Sequence, residues 1–269
     1  MSVRLALAQA PALLGDKEAN LRRAAELVEE AAARRADAVV FPELFLTGYL
    51  IRERARELAE RPDGPSVAAL ADLARRHEIF LMVGFPEESG SDRPYNSACL
   101  IERDGSLVGV YRKTHLFADE PRWFTPGDRF DVFETSLGPV SPLICYDLEF
   151  PEPARTVALL GARLVLVSTA NMEPYGSEEE VHVRARALEN HFYVAVANTV
   201  GEDAAYRYFG QSKVADPSGR VLAKAGPGPE LVVADLDLSL VEATRDSSPY
   251  LARRRPDLYS PLAHEPARA

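Results

Sequence analysis

The chain has 269 residues, 46% of them hydrophobic, and a formal net charge of -10. Because phosphate binding needs a basic surface, this acidic balance disfavours nucleic acid as a partner. No apolar run approaches the length of a membrane helix, and residues 1–9 enter a short strand without the pattern of a signal peptide. The composition is typical of a single domain over residues 1–269, without a membrane segment.

The chain contains two cysteines, Cys99 and Cys145, whose positions do not form a paired spacing. We therefore expect a reduced, cytoplasmic protein in which Cys99 packs inside a strand. The five histidines show no spacing typical of metal ligands, and no glycine-rich phosphate loop is present. We expect neither a metal nor another cofactor.

Predicted strands and helices alternate along the chain, with antiparallel hairpins inserted between them. Asp16 is expected to cap the first helix and Ser66 the second, while 104–105 and 217–219 are typical hairpin turns. The alternation indicates an α/β fold with mixed sheets. The predicted strands are 5–9, 38–41, 79–84, 97–103, 107–111, 164–168, 193–198 and 231–235, and the predicted helices are 16–35, 66–77, 153–160 and 177–191.

Three strand-like segments end in a residue that can carry chemistry. Glu43 follows the run Ala-Val-Val-Phe-Pro, Lys113 follows Leu-Val-Gly-Val-Tyr-Arg, and Cys145 follows Pro-Leu-Ile. Taken singly, each has an ordinary interpretation, as a solvated loop charge or a small buried thiol. Ligands of α/β sheets gather beyond the carboxyl ends of the strands, so together the three predict a site with a carboxylate, an ammonium and a thiol.

The segments around these residues resemble the three signature motifs of the nitrilase, or carbon-nitrogen hydrolase, superfamily. They read Phe-Pro-Glu-Leu-Phe-Leu-Thr-Gly-Tyr at 41–49, Tyr-Arg-Lys-Thr-His-Leu-Phe at 111–117 and Leu-Ile-Cys-Tyr-Asp-Leu-Glu-Phe-Pro-Glu at 143–152. The motifs occur in the order and approximate spacing of that family. The similarity extends over nearly the whole chain, and only the segment from about 248 to 269 lacks a clear family feature.

The resemblance implies a four-layer α-β-β-α sandwich and pairing of two subunits across a helical face, in a homodimer or a higher homo-oligomer. The helix after Cys145 and the helix that begins near Ser177 are the candidates for this face, and the tail 248–269 is a candidate subunit contact. Pro142 departs from the family pattern. In a central strand a proline loses a ladder hydrogen bond, so we expect it to disturb the local sheet pairing.

The resemblance also implies amide hydrolysis by a Glu-Lys-Cys triad. Cys145 would attack the carbonyl and form a thioester, and Glu43 would act as general base and acid. Lys113, with the backbone N–H of Tyr146, would stabilise the oxyanion. Glu120 lies in the loop where the family has a further glutamate; it would orient Lys113 or the substrate, the alternative being a solvated loop acid. The sequence leaves open whether burial or nearby charge dominates the pKa values of the thiol and the carboxylates.

Within the superfamily, the segments around Cys145 and at 168–175 are most similar to aliphatic amidases of the 5-aminopentanamidase type and to related stereoselective amidases. A pocket carboxylate would suit the ammonium of an ω-amino amide. Glu173 is the candidate, the alternative being a surface loop acid, and Asn171 on the same loop is a candidate substrate contact. The candidates for a pocket wall that makes cation–π contacts are Tyr49, Tyr146 and Trp123.

The main prediction is a cysteine-dependent amidase that converts a small aliphatic carboxamide to the carboxylic acid and ammonia. An N-carbamoyl amino acid or amine hydrolase with the same triad is the first alternative, and a nitrilase that turns over nitriles is another. A non-catalytic scaffold that kept the fold is the alternative from a different class. The presence of all three triad residues disfavours it, because a binding module needs no such combination.

Overall fold

A computed structural model describes residues 2–264 of the chain; Met1 and residues 265–269, the end of the predicted tail, lie outside the described residues. The strands are β1 (Ser2–Gln9), β2 (Ala38–Val40), β3 (Phe80–Glu87), β4 (Tyr95–Ile101), β5 (Leu107–Arg112), β6 (Phe133–Thr135), β7 (Gly138–Ile144), β8 (Leu164–Thr169), β9 (Tyr193–Asn198), β10 (Val200–Glu202), β11 (Arg207–Phe209), β12 (Lys213–Ala215), β13 (Val221–Lys224) and β14 (Glu230–Asp237). The α-helices are α1 (Lys17–Ala33), α2 (Ala55–Leu58), α3 (Pro65–His77), α4 (Pro151–Leu159), α5 (Gly176–Asn190) and α6 (Ser239–Ser247). Short 3₁₀ helices span Arg52–Arg54, Glu120–Arg122, Cys145–Leu148, Pro256–Leu258 and Ser260–Ala263.

Twelve of the strands within residues 2–264 form two mixed sheets of six strands each. The first has the order β14-β1-β2-β3-β4-β5 and the second β13-β12-β9-β8-β7-β6, while β10 and β11 form a separate ribbon. The central strands of each sheet run parallel and the outer strands pair antiparallel. Such sheets arise when helical crossovers join the central strands and hairpins extend the edges.

The two sheets pack face to face, with helices covering both outer surfaces. Apolar residues of α1 and α3 pack against one face of the first sheet. The opposite face of that sheet, the second sheet, and residues of α4 and α5 share one continuous core. This arrangement confirms the expected four-layer α-β-β-α sandwich. No helix within residues 2–264 has both the length and the apolarity needed to cross a bilayer.

Most predicted elements are present, and one predicted cap is wrong. Asp16 caps α1 by accepting a hydrogen bond from the Ala19 backbone N–H at 3.0 Å. Ser66 does not cap α3, because the helix begins one residue earlier, at Pro65, and Gly64 is its N-cap. Proline is favoured at the first helical position since its missing N–H has no intrahelical partner there. Both predicted hairpins form, between β4 and β5 and between β12 and β13.

The expected disturbance at Pro142 does not occur. Val140–Ile144 pairs with Leu164–Ser168 in unbroken parallel register. On the other side, β6 pairs only with Gly138–Val140, so Pro142 has a sheet neighbour on one side alone. A proline is tolerated where a strand has a free side, because no ladder hydrogen bond is lost there.

The sandwich brings strand ends from both sheets to one place. The Ser168 hydroxyl, near the end of β8, donates to the Phe41 carbonyl oxygen just after β2 at 2.8 Å. The Glu43 backbone N–H donates to the carbonyl oxygen of Thr169 at 3.4 Å. These contacts join the two sheets where Glu43, Lys113 and Cys145 leave their strands.

Candidate active site

Glu43 lies immediately after β2 and is 2% exposed. Its Oε1 accepts a hydrogen bond from the side-chain amide of Asn96 at 2.8 Å, and its Oε2 accepts from the Ala170 backbone N–H at 3.1 Å. Gly84 on β3 allows this placement, because a Cβ there would lie 2.4 Å from the Leu44 nitrogen. The carboxylate is thus held from two sides by fixed donors.

Lys113 joins two carboxylates inside the protein. Its Nζ donates to Glu43 Oε1 at 2.7 Å and to Glu120 Oε1 at 2.8 Å, and its side chain is fully buried. A compact ammonium with several donors can bridge two acids in this way. Because its hydrogen bonds fix the ammonium, Lys113 presents a positive charge at a defined point of the site.

Glu120 is a buried member of this group rather than a solvated loop acid. It opens the 3₁₀ helix Glu120–Arg122 and is 4% exposed. Besides Lys113, the Tyr49 hydroxyl donates to its Oε1 at 2.7 Å, and the Phe117 backbone N–H donates to its Oε2 at 2.8 Å. Three donors therefore fix the Glu120 carboxylate, which in turn fixes Lys113.

Cys145 occupies the sharp turn between β7 and the 3₁₀ helix that it starts. Its φ is 49°, in the left-handed region that costs a non-glycine residue about 1–2 kcal/mol. The thiol is within hydrogen-bond distance of Asn171 Oδ1, at 3.2 Å, and Cys145 is 7% exposed. Backbone strain of this kind is often found where a side chain must be presented to a ligand.

Asp147 holds the Cys145 turn against the segment that carries Lys113. Its Oδ2 accepts from the Ile144 backbone N–H at 3.2 Å and from the Tyr111 hydroxyl at 2.8 Å. Its Oδ1 accepts from the backbone and hydroxyl of Thr114, at 3.2 and 2.7 Å. The fully buried carboxylate therefore ties the end of β5 to the end of β7.

Burial and neighbouring charges together shift the pKa values of the site. It raises the pKa of the Cys145 thiol well above the ordinary value, and the Glu43 carboxylate adds to the rise while Lys113 opposes it. Burial also raises the pKa of Glu43, against the effect of Lys113. For Lys113, burial acts to lower the pKa, but Glu120 and Glu43 outweigh it and hold the pKa well above its ordinary value. The site rests with a neutral thiol beside an ammonium.

One cavity reaches the thiol of Cys145. Its lining side chains are Phe117, Cys145, Glu149, Asn171, Met172 and Tyr175. Of the predicted substrate contacts, Asn171 lies in this cavity, and Tyr146 lies beside it with its ring 5.4 Å from that of Phe117. Tyr49 is bound to Glu120 and lines a second cavity that reaches Glu43.

Two predicted pocket residues lie elsewhere. Trp123 packs with Leu44, Ile51 and Phe124 in a separate apolar cluster. Glu173 is exposed and is absent from the lining of the cavity that reaches Cys145. The placement of Glu173 fits the surface alternative, since its loop directs Asn171 and Met172 to the cavity instead.

Sequence reasoning missed two polar residues of the site. Asn96 lies one residue before the predicted strand 97–103, and nothing in the sequence indicates that it donates to Glu43. Glu149 lies within the Cys145 motif, four residues after the thiol, and residues four apart share one face of an α-helical turn, which was the signal available in the sequence. Within residues 2–264 no group of three histidine, cysteine or acidic side chains is arranged to hold a metal ion.

Comparison with known proteins agrees with this geometry. The model of the carbon-nitrogen hydrolase family matches residues 4–246. A hydrolase of Pseudomonas protegens is 43% identical over 97% of this chain and 92% of its own length. An (R)-stereoselective amidase of a Pseudomonas species is 36% identical over 94% of this chain and 92% of its own.

A solved structure shows the same architecture in an amidase. It is a glutamine mutant of the amidase from Nesterenkonia, in which the acetamide moiety of fluoroacetamide is covalently attached to the active-site cysteine. That structure has a TM-score of 0.87 and 30% identity, and covers 96% of this chain and 95% of its own. The fold and the match to the family model define a carbon-nitrogen hydrolase of nitrilase-like architecture. This chain belongs to the carbon-nitrogen hydrolase family, and its relatives identify it as an amidase-type enzyme.

Proposed function

We propose that the protein is a cysteine-dependent amidase that hydrolyses a small aliphatic carboxamide to the carboxylic acid and ammonia through a thioester. The observation that carries the proposal is the Lys113 ammonium, which bridges the buried carboxylates of Glu43 and Glu120 beside a thiol in a left-handed turn. A base, a cation and a nucleophile held close together are the groups that acyl transfer requires.

The first half of the reaction forms the thioester. Because the Cys145 pKa is raised, the proton leaves during attack: Sγ bonds to the carbonyl carbon while Glu43 takes the thiol proton. The carbonyl electrons move to the oxygen, where Lys113 and the Tyr146 N–H stabilise the negative charge. The C–N bond then breaks, Glu43 returns its proton to the nitrogen, and ammonia leaves.

The second half releases the acid. Glu43 takes a proton from water as the water oxygen bonds to the thioester carbon. The C–S bond then breaks, and the proton returns from Glu43 to the sulfur. Glu120 acts through Lys113 by holding the ammonium in place during both halves, because its two oxygens are fixed by Tyr49 and Phe117.

The same groups could serve a related substrate. An N-carbamoyl hydrolase would use the identical triad, and its reaction would release carbon dioxide together with ammonia. Preference for amides over N-carbamoyl compounds and nitriles is the outcome that our proposal expects. A non-catalytic scaffold would show no ammonia release from any of these substrates.

We also propose that the enzyme acts as a cytoplasmic homodimer. Both cysteines are free, which fits a reducing compartment. The exposed large apolar side chains on and next to α4 and α5 fit the expected subunit face, as do those in the described part of the tail. They include Leu159, Leu160, Val181 and Leu188 on and next to the helices and Tyr250, Leu258 and Leu262 in the tail. Light scattering after gel filtration would test the pairing.

The function is tested by ammonia release from a panel of aliphatic amides, N-carbamoyl amino acids and a nitrile. Cys145→Ala and Lys113→Ala should each abolish turnover while leaving the circular dichroism spectrum unchanged. Cys99→Ala is the matched control, because that thiol is buried on β4 and burial raises its pKa to about 12. Substantial activity in Cys145→Ala or Lys113→Ala would refute the assignment.

A further inference from the structure

The cavity that reaches Cys145 contains one acidic side chain, Glu149, among its described lining residues. Glu149 is partly buried at the end of the 3₁₀ helix Cys145–Leu148. Burial raises the pKa of this carboxyl, and Glu178 adds to the rise, while Lys113 opposes it. A carboxylate that has lost water here gains from contact with a cation.

No protein group within residues 2–264 neutralises the Glu149 carboxylate through an ion pair or a side-chain hydrogen bond. Arg186 is nearby, but its guanidinium donates to the backbone carbonyl oxygens of Leu148 and Glu149, at 3.0 and 2.6 Å. It also pairs with Glu189 at 3.3 Å. The Arg186 guanidinium is therefore used to hold the backbone, which leaves the Glu149 carboxylate free for a ligand.

The surroundings of Glu149 suit an organic cation on a short chain. Phe117 and Tyr175 line the same cavity with their rings edge to face, 6.4 Å apart, and aromatic faces attract ammonium groups. Residues four apart in a helical turn have Cα atoms separated by about 6–8 Å. Because Glu149 and the Cys145 thiol line the same cavity, a substrate chain of a few methylene groups is the length suited to join them.

We propose that Glu149 binds an ammonium at the far end of the substrate, so that the enzyme selects short ω-amino carboxamides. This inference rests on the proposed amidase function. It assigns to Glu149 the role that the sequence suggested for Glu173. Among the described residues, the carboxylates of Glu43, Glu120 and Glu149 outnumber the Lys113 ammonium, and Arg186 is already paired with Glu189. An anionic group at the same end of the substrate would therefore be repelled.

The first test compares three amides of nearly equal length with the unmodified enzyme. They are 5-aminopentanamide, which is cationic, hexanamide, which is neutral, and the monoamide of adipic acid, which is anionic. We expect kcat/KM to fall in that order, with a difference of about tenfold or more between the cation and the neutral amide. Equal kcat/KM for the cationic and neutral amides, or preference for the anion, would overturn the inference.

The second test removes the charge with Glu149→Gln, which keeps the side-chain shape. We expect kcat/KM for 5-aminopentanamide to fall about tenfold or more, mainly through a higher KM, and that for hexanamide to stay within about twofold. Glu173→Gln is the matched control, since it removes an exposed carboxylate from a neighbouring loop, and it should change neither value. An equal loss on both amides would show a catalytic or structural role and would contradict selective binding.

The two proposals fail in different ways. Absence of ammonia release from every amide in the unmodified enzyme would refute the amidase function itself. Hydrolysis of neutral amides without preference for the cation would leave that function intact and refute the role of Glu149. The comparison of substrates in the unmodified enzyme needs no variant, so it decides the question even if Glu149→Gln folds poorly.

Discussion

The Nζ of Lys113 lies 2.7 Å from Oε1 of Glu43, and both side chains are fully buried. The loss of hydration on burial offsets much of the Coulomb attraction between two such charges. A buried pair of this kind is therefore poor evidence of stability and better evidence of function. The second carboxylate on the same ammonium, Glu120, makes the arrangement a fixed group of three charges.

The raised pKa of Glu43 sets the acid side of the pH profile. Glu43 must be ionised to accept the thiol proton, so activity should increase with pH through a value above the ordinary carboxyl pKa. Because the pKa of Lys113 lies well above its usual value, the ammonium persists and the plateau should extend to alkaline pH. A pH profile of kcat/KM measures both the increase on the acid side and the extent of the alkaline plateau.

Glu43→Gln should lower kcat by about 10²–10⁴-fold, the usual contribution of a general base. The substrate KM should change little, because the hydrogen bonds that position Glu43 come from Asn96 and Ala170 and not from residues of the cavity that admits the substrate. If the residual activity of this variant still increased with pH over the same range as the wild type, the group that titrates there would not be Glu43.

Gly84→Ala should impair the site from a distance. The added Cβ would lie 2.4 Å from the Leu44 nitrogen and 2.8 Å from the Pro42 carbonyl oxygen, so the backbone at Glu43 must shift. Overpacking of this kind costs about 1–3 kcal/mol, and kcat should fall with it. Urea unfolding and ammonia release measure the two effects. Gly228→Ala is the control, because a Cβ there meets nothing within 4 Å, and a Gly84→Ala enzyme with full activity would contradict the argument.

A second buried pair, Glu179 with Lys213, should affect stability in a pH-dependent way. The carboxylate and Nζ are 3.3 Å apart, and burial raises the pKa of Glu179 to about 6. A carboxyl with a raised folded-state pKa stabilises the protein at low pH and loses that contribution as pH rises to the raised value. The wild type should therefore lose on the order of 1 kcal/mol between pH 4.5 and 6 relative to a Glu179→Gln, Lys213→Met double variant.

Urea unfolding at several pH values checks this expectation. The control is Glu18→Gln with Arg22→Met, which removes a pair on α1 whose side chains are 87% and 63% exposed. Surface pairs contribute little, so this control should follow the wild type at all pH values. If the free energy of unfolding changed with pH in the same way for the wild type and the Glu179 double variant, the prediction would be wrong.

The sequence predicted the strands and the three residues at their ends because both depend on local pattern. Apolar runs that stop at Glu43, Lys113 and Cys145 indicate strand ends, and the family resemblance supplied the four-layer arrangement. Ser66 was assigned as a cap from residue preference alone. The helix instead starts at Pro65, and the Ser66 backbone N–H donates to Glu60 at 3.0 Å, a tertiary contact that no local pattern contains.

The rest of the site depends on how distant segments meet. Asn96 reaches Glu43 across 53 positions of sequence, and only the packed sheet brings them together. The Cys145 pKa is raised because the effect of burial is larger than that of the nearby cation. The relative size of these two effects cannot be predicted from the sequence. Glu173 was the candidate pocket carboxylate because it lies in the segment 168–175 that resembles the amidases, yet its side chain is exposed while Glu149 lines the cavity.

The most direct test of the thioester account is mass spectrometry of the intact enzyme during its first turnover. Enzyme in excess over a hydrolysed amide would be quenched with acid at a series of short times, and the acyl group then located by peptide mapping. The account predicts a transient mass increase of one acyl group on Cys145, absent in Cys145→Ala. Complete release of ammonia with no acylated Cys145 at any quench time would contradict it.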